Sequence, residues 1–434
     1  MTTATTPFLE HLLAGQKIVT AEPAAWANRL RADALERAHQ LTLPSTRDED
    51  WRFTDLSPLY KLVFRPASGA PVLDAAAIAP FVAPETVCRL VFVDNQFSAA
   101  LSTLPAAGAS LVVQPLVAGL KSRGETIHAH LGSLADFRDD AFRAVNTAYL
   151  HDGALVVVPR NHAEAAPLHV LFVSTQAEVA THPRVLVVAE SGSDATVLED
   201  YVALHDGTYC TNAVTEIAVG ANARVQHIRV QRESRAAFHI ATAAIRLDRD
   251  ASYHAVTVAV GGRISRLDHH IVHAAQGAFC SLDGLALVGG RQLADTHSFV
   301  DHTVPHTGGR QLHKTVVADG ARAVFNGRVV VRPGAQQTNS AQESRNLLLS
   351  DKAQVDTKPQ LEIFADDVKC SHGATVGQLE AEELFYLESR GIGRDAARNL
   401  LTYGFAAEIV DRIPLASVAK GLRETVLART QSKE

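Results

Sequence analysis

The densest cluster of reactive side chains in this 434-residue chain is Ala365-Asp366-Asp367-Val368-Lys369-Cys370-Ser371-His372-Gly373-Ala374-Thr375. Two carboxylates, a thiol and an imidazole fall within seven residues. Iron accepts both thiolate sulfur and imidazole nitrogen. Cys370 and His372 are two apart, so a strand turns both to one face. Lys369, beside Cys370, is expected to lower the thiol pKa. The same composition suits a strand-to-helix junction, where Asp, Ser and Gly are common. On the residues alone that junction is the stronger reading, because short Cys/His clusters are weak signals.

A second group is rich in histidine: His269, His270, His273, His297, His302, His306 and His313. The spacing of His269 and His273 makes a metal pair only on a helix, and this region reads as strand. His297 and His302 are expected to face solvent or a partner. Four cysteines, Cys88, Cys210, Cys280 and Cys370, stand far apart with no CxxC pair. The chain therefore encodes neither a disulfide framework nor a self-contained zinc or iron–sulfur site.

Other chemistries are excluded by what is missing. No GxxxxGK[ST] phosphate loop and no GxSxG elbow occurs, so neither an ATPase nor a hydrolase is written here. A net charge of -6 argues against bulk binding to nucleic acid. No run approaches the about 18 to 20 apolar residues of a membrane span. Met1 to Leu13 lacks the basic start and apolar core of a signal peptide, so the protein is expected in the cytosol.

The elements that position these residues follow from periodicity. Trp26, Leu30, Ala34, Ala38 and Leu41 share one helix face, with Pro23 in the first turn and Pro44 after the end. Short strands are expected at Leu90 to Val93 and Leu111 to Val113, and a helix over Leu134 to Leu150. From about Gly153 to Gly373 β-rich runs dominate, including Ala154 to Val158, Val185 to Val188, Ala213 to Val219, Tyr253 to Val260 and Arg328 to Val331. Alternation is visible in Val225-Gln226-His227-Ile228-Arg229-Val230.

Turn sites ending in alanine recur at Ala195, Ala223, Ala251 and Ala278, spaced 28, 28 and 27 residues apart. Later ones at Ala321, Ala335 and Ala353 are 14 and 18 apart. A unit near 14 residues, often doubled, predicts a β-solenoid whose 14-residue rung holds two or three short strands. A large antiparallel sandwich is the competing architecture. Helices return at the end. Glu380 to Arg390 closes on Gly391; Leu401, Phe405, Ile409 and Ile413 line one face; Leu415, Val418, Leu422 and Val426 line another.

Several motifs go further than pattern. Gln311-Leu312-His313-Lys314-Thr315, Ala323-Val324-Phe325-Asn326-Gly327, Asn346 to Ser350, Asp356-Thr357-Lys358-Pro359 and the Cys370/His372 cluster lie in one stretch, which Leu384 to Leu387 and Ser389-Arg390-Gly391-Ile392 close. With the N-terminal Asp50-Trp51-Arg52-Phe53-Thr54, they make the chain resemble the SufB/SufD family of iron–sulfur cluster assembly proteins. The strong likeness covers roughly residues 310 to 410. SufB-type chains carry a scaffold cysteine where this chain has Ala353, and a Glu where it has Gly373, so the likeness is to the SufD side.

The resemblance implies a mainly β protein. Its core is a right-handed parallel β-helix over residues 151–375, between a mainly helical N-terminal domain (1–150) and a C-terminal helical domain (376–434). It implies a non-catalytic scaffold that pairs with SufB through the β-helices. The SufC ATPase docks on the C-terminal helices, with Leu384, Phe385, Leu387, Leu401 and Phe405 as candidate contacts. ATP-driven motion of SufC then opens the SufB interface to iron and sulfur. His372 is the expected ligand to iron or a transient cluster shared with SufB, and Cys370 a weaker one; this chain alone holds no permanent cofactor. A homodimer of the isolated chain is compatible with all of this. Two rivals stand beside it. One is a purely structural protein-binding solenoid. The other is an exported carbohydrate-active β-helix, which lacks here both a signal peptide and a carboxylate pair on one face.

Overall fold

The structure, a computed structural model, describes residues 7–14, 25–69, 72–106 and 108–430. Pro23 lies outside them. From Ala154 to Gly377 the chain winds into a parallel β-solenoid of about eight turns, with helices at both ends. Successive strands alternate between two sheets. One sheet contains Cys210–Val219, Phe238–Leu247, Ile264–His273, Leu293–His302, Arg322–Val331 and Gln354–Ile363. The second contains Arg224–Arg232, Ser252–Ala259, Phe279–Val288, Gly308–Val317, Asn339–Leu348 and Lys369–Gly377. Every pairing among these strands is parallel, which removes the antiparallel sandwich.

In the second sheet Arg224, Ser252, Phe279, Gly308, Asn339 and Lys369 stack in register, so successive coils take 28, 27, 29, 31 and 30 residues. The 14-residue unit is thus one long strand plus its turn, and two units make a coil. The expectation of two or three strands in each unit is corrected. Ten-residue strands leave room for only one per unit.

The turns explain the alanine period from Ala223 to Ala278, whereas Ala195 stacks under Val225 instead of Ala223, so its spacing of 28 is not a coil length. Asn222, Asp250, Gly277, His306 and Gln337 all have left-handed backbone at the coil corners. Asn, Asp and Gly adopt that region most readily. At Gly277 an added methyl would meet the Asp250 carboxylate of the coil below, which would have to move aside. The alanine after each of the first three corners, Ala223, Ala251 and Ala278, is buried in the solenoid.

The C-terminal helices Arg394–Val410 and Ala416–Thr430 cover the outer face of the second sheet. Ile228, Val230, Val256, Val258, Leu285 and Leu287 pack there against Ile409, Val410, Leu415, Val418 and Leu422. This decides which face of the alternating residues 225–230 lies inside. Ile228 and Val230 point outward under the helices, while His227 and Arg229 point into the solenoid.

At the other end the helix Ala25–Gln40 matches its sequence pattern. The strand Cys88–Val93 adds to the second sheet through Leu168–Ser174, and Val112–Pro115 pairs with Ala154–Val158 of the first. The helix expected over 134–150 is shorter, Ala141–Ala148, with Asp140 capping it through the Arg143 N–H. The backbone N–H groups of Gly132, Leu134 and Ala135 donate instead to the buried Glu216 carboxylate, which holds that segment out of the helix.

The Asp50-Trp51-Arg52-Phe53-Thr54 segment clamps the outside of the first sheet. The Arg266 guanidinium lies 3.7 Å from the Trp51 ring centroid and donates to the Asp50 carbonyl at 2.8 Å. Thr54 donates to Asp295 at 2.6 Å. No helix among the described residues is long and apolar enough to cross a membrane.

Candidate functional site

Lys369–Gly377 and Gln354–Ile363 are the last strands of their sheets. Among the described residues no strand covers them, and Ser371 to Gly377 are all exposed, whereas the strands beneath are largely buried. The solenoid therefore ends on an open coil that presents unpaired backbone N–H and C=O groups, a template for another strand.

Cys370 and His372 sit on this coil and share one face, as their spacing predicts. Cys370 stacks over Ser340, Gly309, Cys280 and Tyr253; His372 stacks over Gln342, Gln311, Leu282 and Ala255. Tyr253, Cys280, Leu282 and Ala255 belong to the interior core, so both side chains rise from the inner wall. Cys370 is half-buried and His372 exposed. Ala353, at the SufB cysteine position, is buried in the turn before Gln354–Ile363. The segment is a strand edge, and the helices begin only at Ala381. Asp366 and Asp367 lie in the bend between the last two strands, on neither face.

The expected activation of Cys370 by Lys369 is corrected. Lys369 is exposed on the opposite face of the strand. Burial pushes the Cys370 thiol up, against a weaker opposing hydrogen bond from the Ser340 backbone. Cys210 and Cys280 are pushed up by burial to about 12. All three thiols are protonated and poorly nucleophilic at neutral pH.

A polar lane runs inside the solenoid below His372, and the sequence reading missed it. Gln342 is buried, and among the described residues neither of its amide atoms has a partner. Gln311 accepts from Ser298 at 2.7 Å, but its Nε2 is unpaired. His313 packs at a tilt on Phe325 with centroids 4.4 Å apart, and burial pushes it down to about 3. His269 carries two unpaired ring nitrogens and is pushed well down by burial. Of the other expected histidines, His302 is fully buried rather than facing solvent, stacked on His273 at 4.3 Å. His297 is held by Asp295 at 3.0 Å and Arg266 at 3.1 Å.

Deeper in the lane Glu199 is fully buried. It accepts from Tyr201 at 2.7 Å, Thr215 at 2.9 Å, Arg229 at 3.0 Å and His227 at 3.1 Å. Burial pushes its carboxyl up, but those hydrogen bonds and the Arg229 charge together hold it below the usual range. Replacing Glu199 by Gln leaves the Arg229 charge buried without a counter-charge. A loss of about 3–5 kcal/mol is expected, read as a lower urea midpoint; an unchanged midpoint would show that the cluster does not hold the solenoid.

The expected docking residues are placed unequally. Leu384 is buried within the chain. Leu387, Leu401 and Phe405 are half-buried, and Phe405 accepts from Lys314 at 2.9 Å through its carbonyl. Phe385 is 71% exposed, and so are the nearby Tyr386 at 57% and Leu400 at 48%.

The model of the SufBD core domain of the iron–sulfur cluster assembly system matches residues 172–405, and that of the SufBD N-terminal region matches 2–170. The chain belongs to the SufB/SufD family. An iron–sulfur cluster assembly SufBD family protein of Synechocystis is 41% identical over 413 residues, covering 92% of this chain and 90% of that protein. The SufD of Escherichia coli is 33% identical over 404 residues, covering 91% and 90%. The SufD of Bacillus subtilis is 27% identical over 424 residues, covering 92% and 93%. These likenesses fit a SufD-type member, and the SufB/SufD family works in iron–sulfur cluster assembly.

Proposed function

We propose that this chain is a non-catalytic scaffold subunit of a cytosolic SufBCD-type complex. A SufB-type partner adds to the open coil. His372 then serves as a neutral nitrogen ligand to iron or a nascent cluster, opposite donors from the partner. The observation that carries the reading is the position of His372. It stands exposed on an uncapped strand, on the inner wall, beside the one cysteine that is not fully buried.

A thiol and an imidazole are too few donors for iron, and among the described residues no group of three or more His, Cys, Asp or Glu is arranged to hold a metal ion. A shared ligand set divided between two chains suits a site that must later release its cargo. Cys370 is the weaker contributor, since burial disfavours its thiolate. The C-terminal helices offer Phe385 as the contact for a SufC-type ATPase.

The test is co-expression of this chain with its SufB and SufC partners, comparing wild type with His372→Ala. The complex is expected to be recovered in full while cluster absorbance falls at least about ten-fold, the scale of one lost metal-ligand contact or more. Unchanged absorbance would make His372 structural and the chain a purely protein-binding solenoid.

A further inference from the structure

A groove of about 540 Å³ lies between the turns that follow strands of the second sheet and the C-terminal helices. Three arginines line it: Arg235 from a solenoid turn, Arg398 from the helix Arg394–Val410 and Arg429 from the last helix. Arg429 donates to the Leu287 carbonyl at 3.0 Å, and Arg398 to the Leu349 carbonyl at 3.2 Å. These bonds anchor two guanidinium groups on protein oxygens without neutralising them.

Among the described residues none of the three has a carboxylate within ion-pair distance. Among the described residues the single carboxylate lining the groove is Asp319, which accepts the Gly290 N–H at 2.7 Å. The local charge is therefore positive. Burial, and then the neighbouring Arg235, pull Arg429 down to about 10.

Three guanidinium groups gathered in one groove by separate elements, with no carboxylate partner among the described residues, attract an anion. Their planar donor forks match phosphate oxygens two at a time. Asn399 and Ser350 add uncharged polar groups, and Val288 and Leu349 supply apolar wall. The groove is concave and of the size of small-molecule sites. We infer that it binds a small phosphorylated anion, at a site separate from His372 and independent of the cluster-assembly reading.

Pyrophosphate is the probe, titrated calorimetrically into the full chain at constant ionic strength. Wild type is compared with Arg235→Gln and Arg398→Gln. Arg235 is exposed and makes no ion pair among the described residues, so its removal leaves the fold intact; thermal melting checks both variants. Saturable one-site binding is expected, weakened about ten-fold or more in each variant, the scale of one charge-assisted hydrogen bond. The inference is overturned by absence of saturable binding at millimolar pyrophosphate, or by equal affinity in wild type and variants. Tighter binding of a short poly-glutamate peptide than of pyrophosphate would also overturn it, by assigning the groove to an acidic protein segment.

Discussion

Acidification from about pH 6.5 is expected to destabilise this protein steeply, well before its carboxylates titrate. Burial pushes His169, His182 and His313 down from 6.5 to about 3. Between those values the unfolded chain binds protons that the folded chain refuses, so stability is complete above pH 6.5 and is lost as pH falls toward 3. Each such histidine contributes a slope of about 1.4 kcal/mol per pH unit. Three together give about 4 kcal/mol per unit on the acid side, enough to exhaust a typical folding free energy within about two to three units. Glu199 and Glu233, held below 4.5 in the fold, add losses of the same sign at lower pH. Asp200 and Asp283, pushed up by burial, oppose them. Urea titrations at pH 7.5, 6 and 5 measure the effect. A midpoint that holds constant down to pH 5 would mean that these rings take up protons inside the fold.

Ala374→Pro is expected to leave this chain folded and to weaken association with a SufB-type partner about ten-fold or more. The Lys369 N–H donates to the Thr338 carbonyl of the neighbouring strand. In a parallel ladder alternate residues bond to opposite sides, so the N–H groups of residues 371, 373 and 375 also point inward. Those of Cys370, His372, Ala374 and Val376 point to the empty side. Proline at 374 removes an outward donor and sets its ring where a partner strand would lie, without costing the chain a bond of its own. Gly373 before it has no Cβ to clash. Co-purification with tagged SufB-type partner reads the result, with melting of the isolated variant as control. Undiminished recovery would show that the partner does not add to this edge. His372→Ala, by contrast, is expected to keep the complex and lose the cargo, so the two variants separate docking from ligation.

Much of the fold was legible because its determinants are local. Corners with left-handed backbone select Asn, Asp and Gly, and the buried position after them selects alanine, so a coil writes its own period into the chain. Helix faces at Leu415, Val418, Leu422 and Val426 announce themselves for the same reason, and all four are buried. The pairing of Cys370 and His372 on one face also follows from strand geometry alone.

Three things were settled only by the tertiary structure. Alternation cannot say which face is inside when both are covered. The helices Arg394–Val410 and Ala416–Thr430 claim the apolar side of residues 225–230, which turns His227 and Arg229 inward and makes the interior a polar lane. Whether a histidine is buried depends on strands some 30 residues away in sequence, so His302 and His313 gave no local sign of it. The open coil is likewise invisible in the chain, because an edge is defined by the strand that is absent. What the sequence determined by itself was therefore the repeating unit and the candidate ligands. Which surfaces those units cover, and which one they leave bare, follows from long-range stacking that no local pattern encodes.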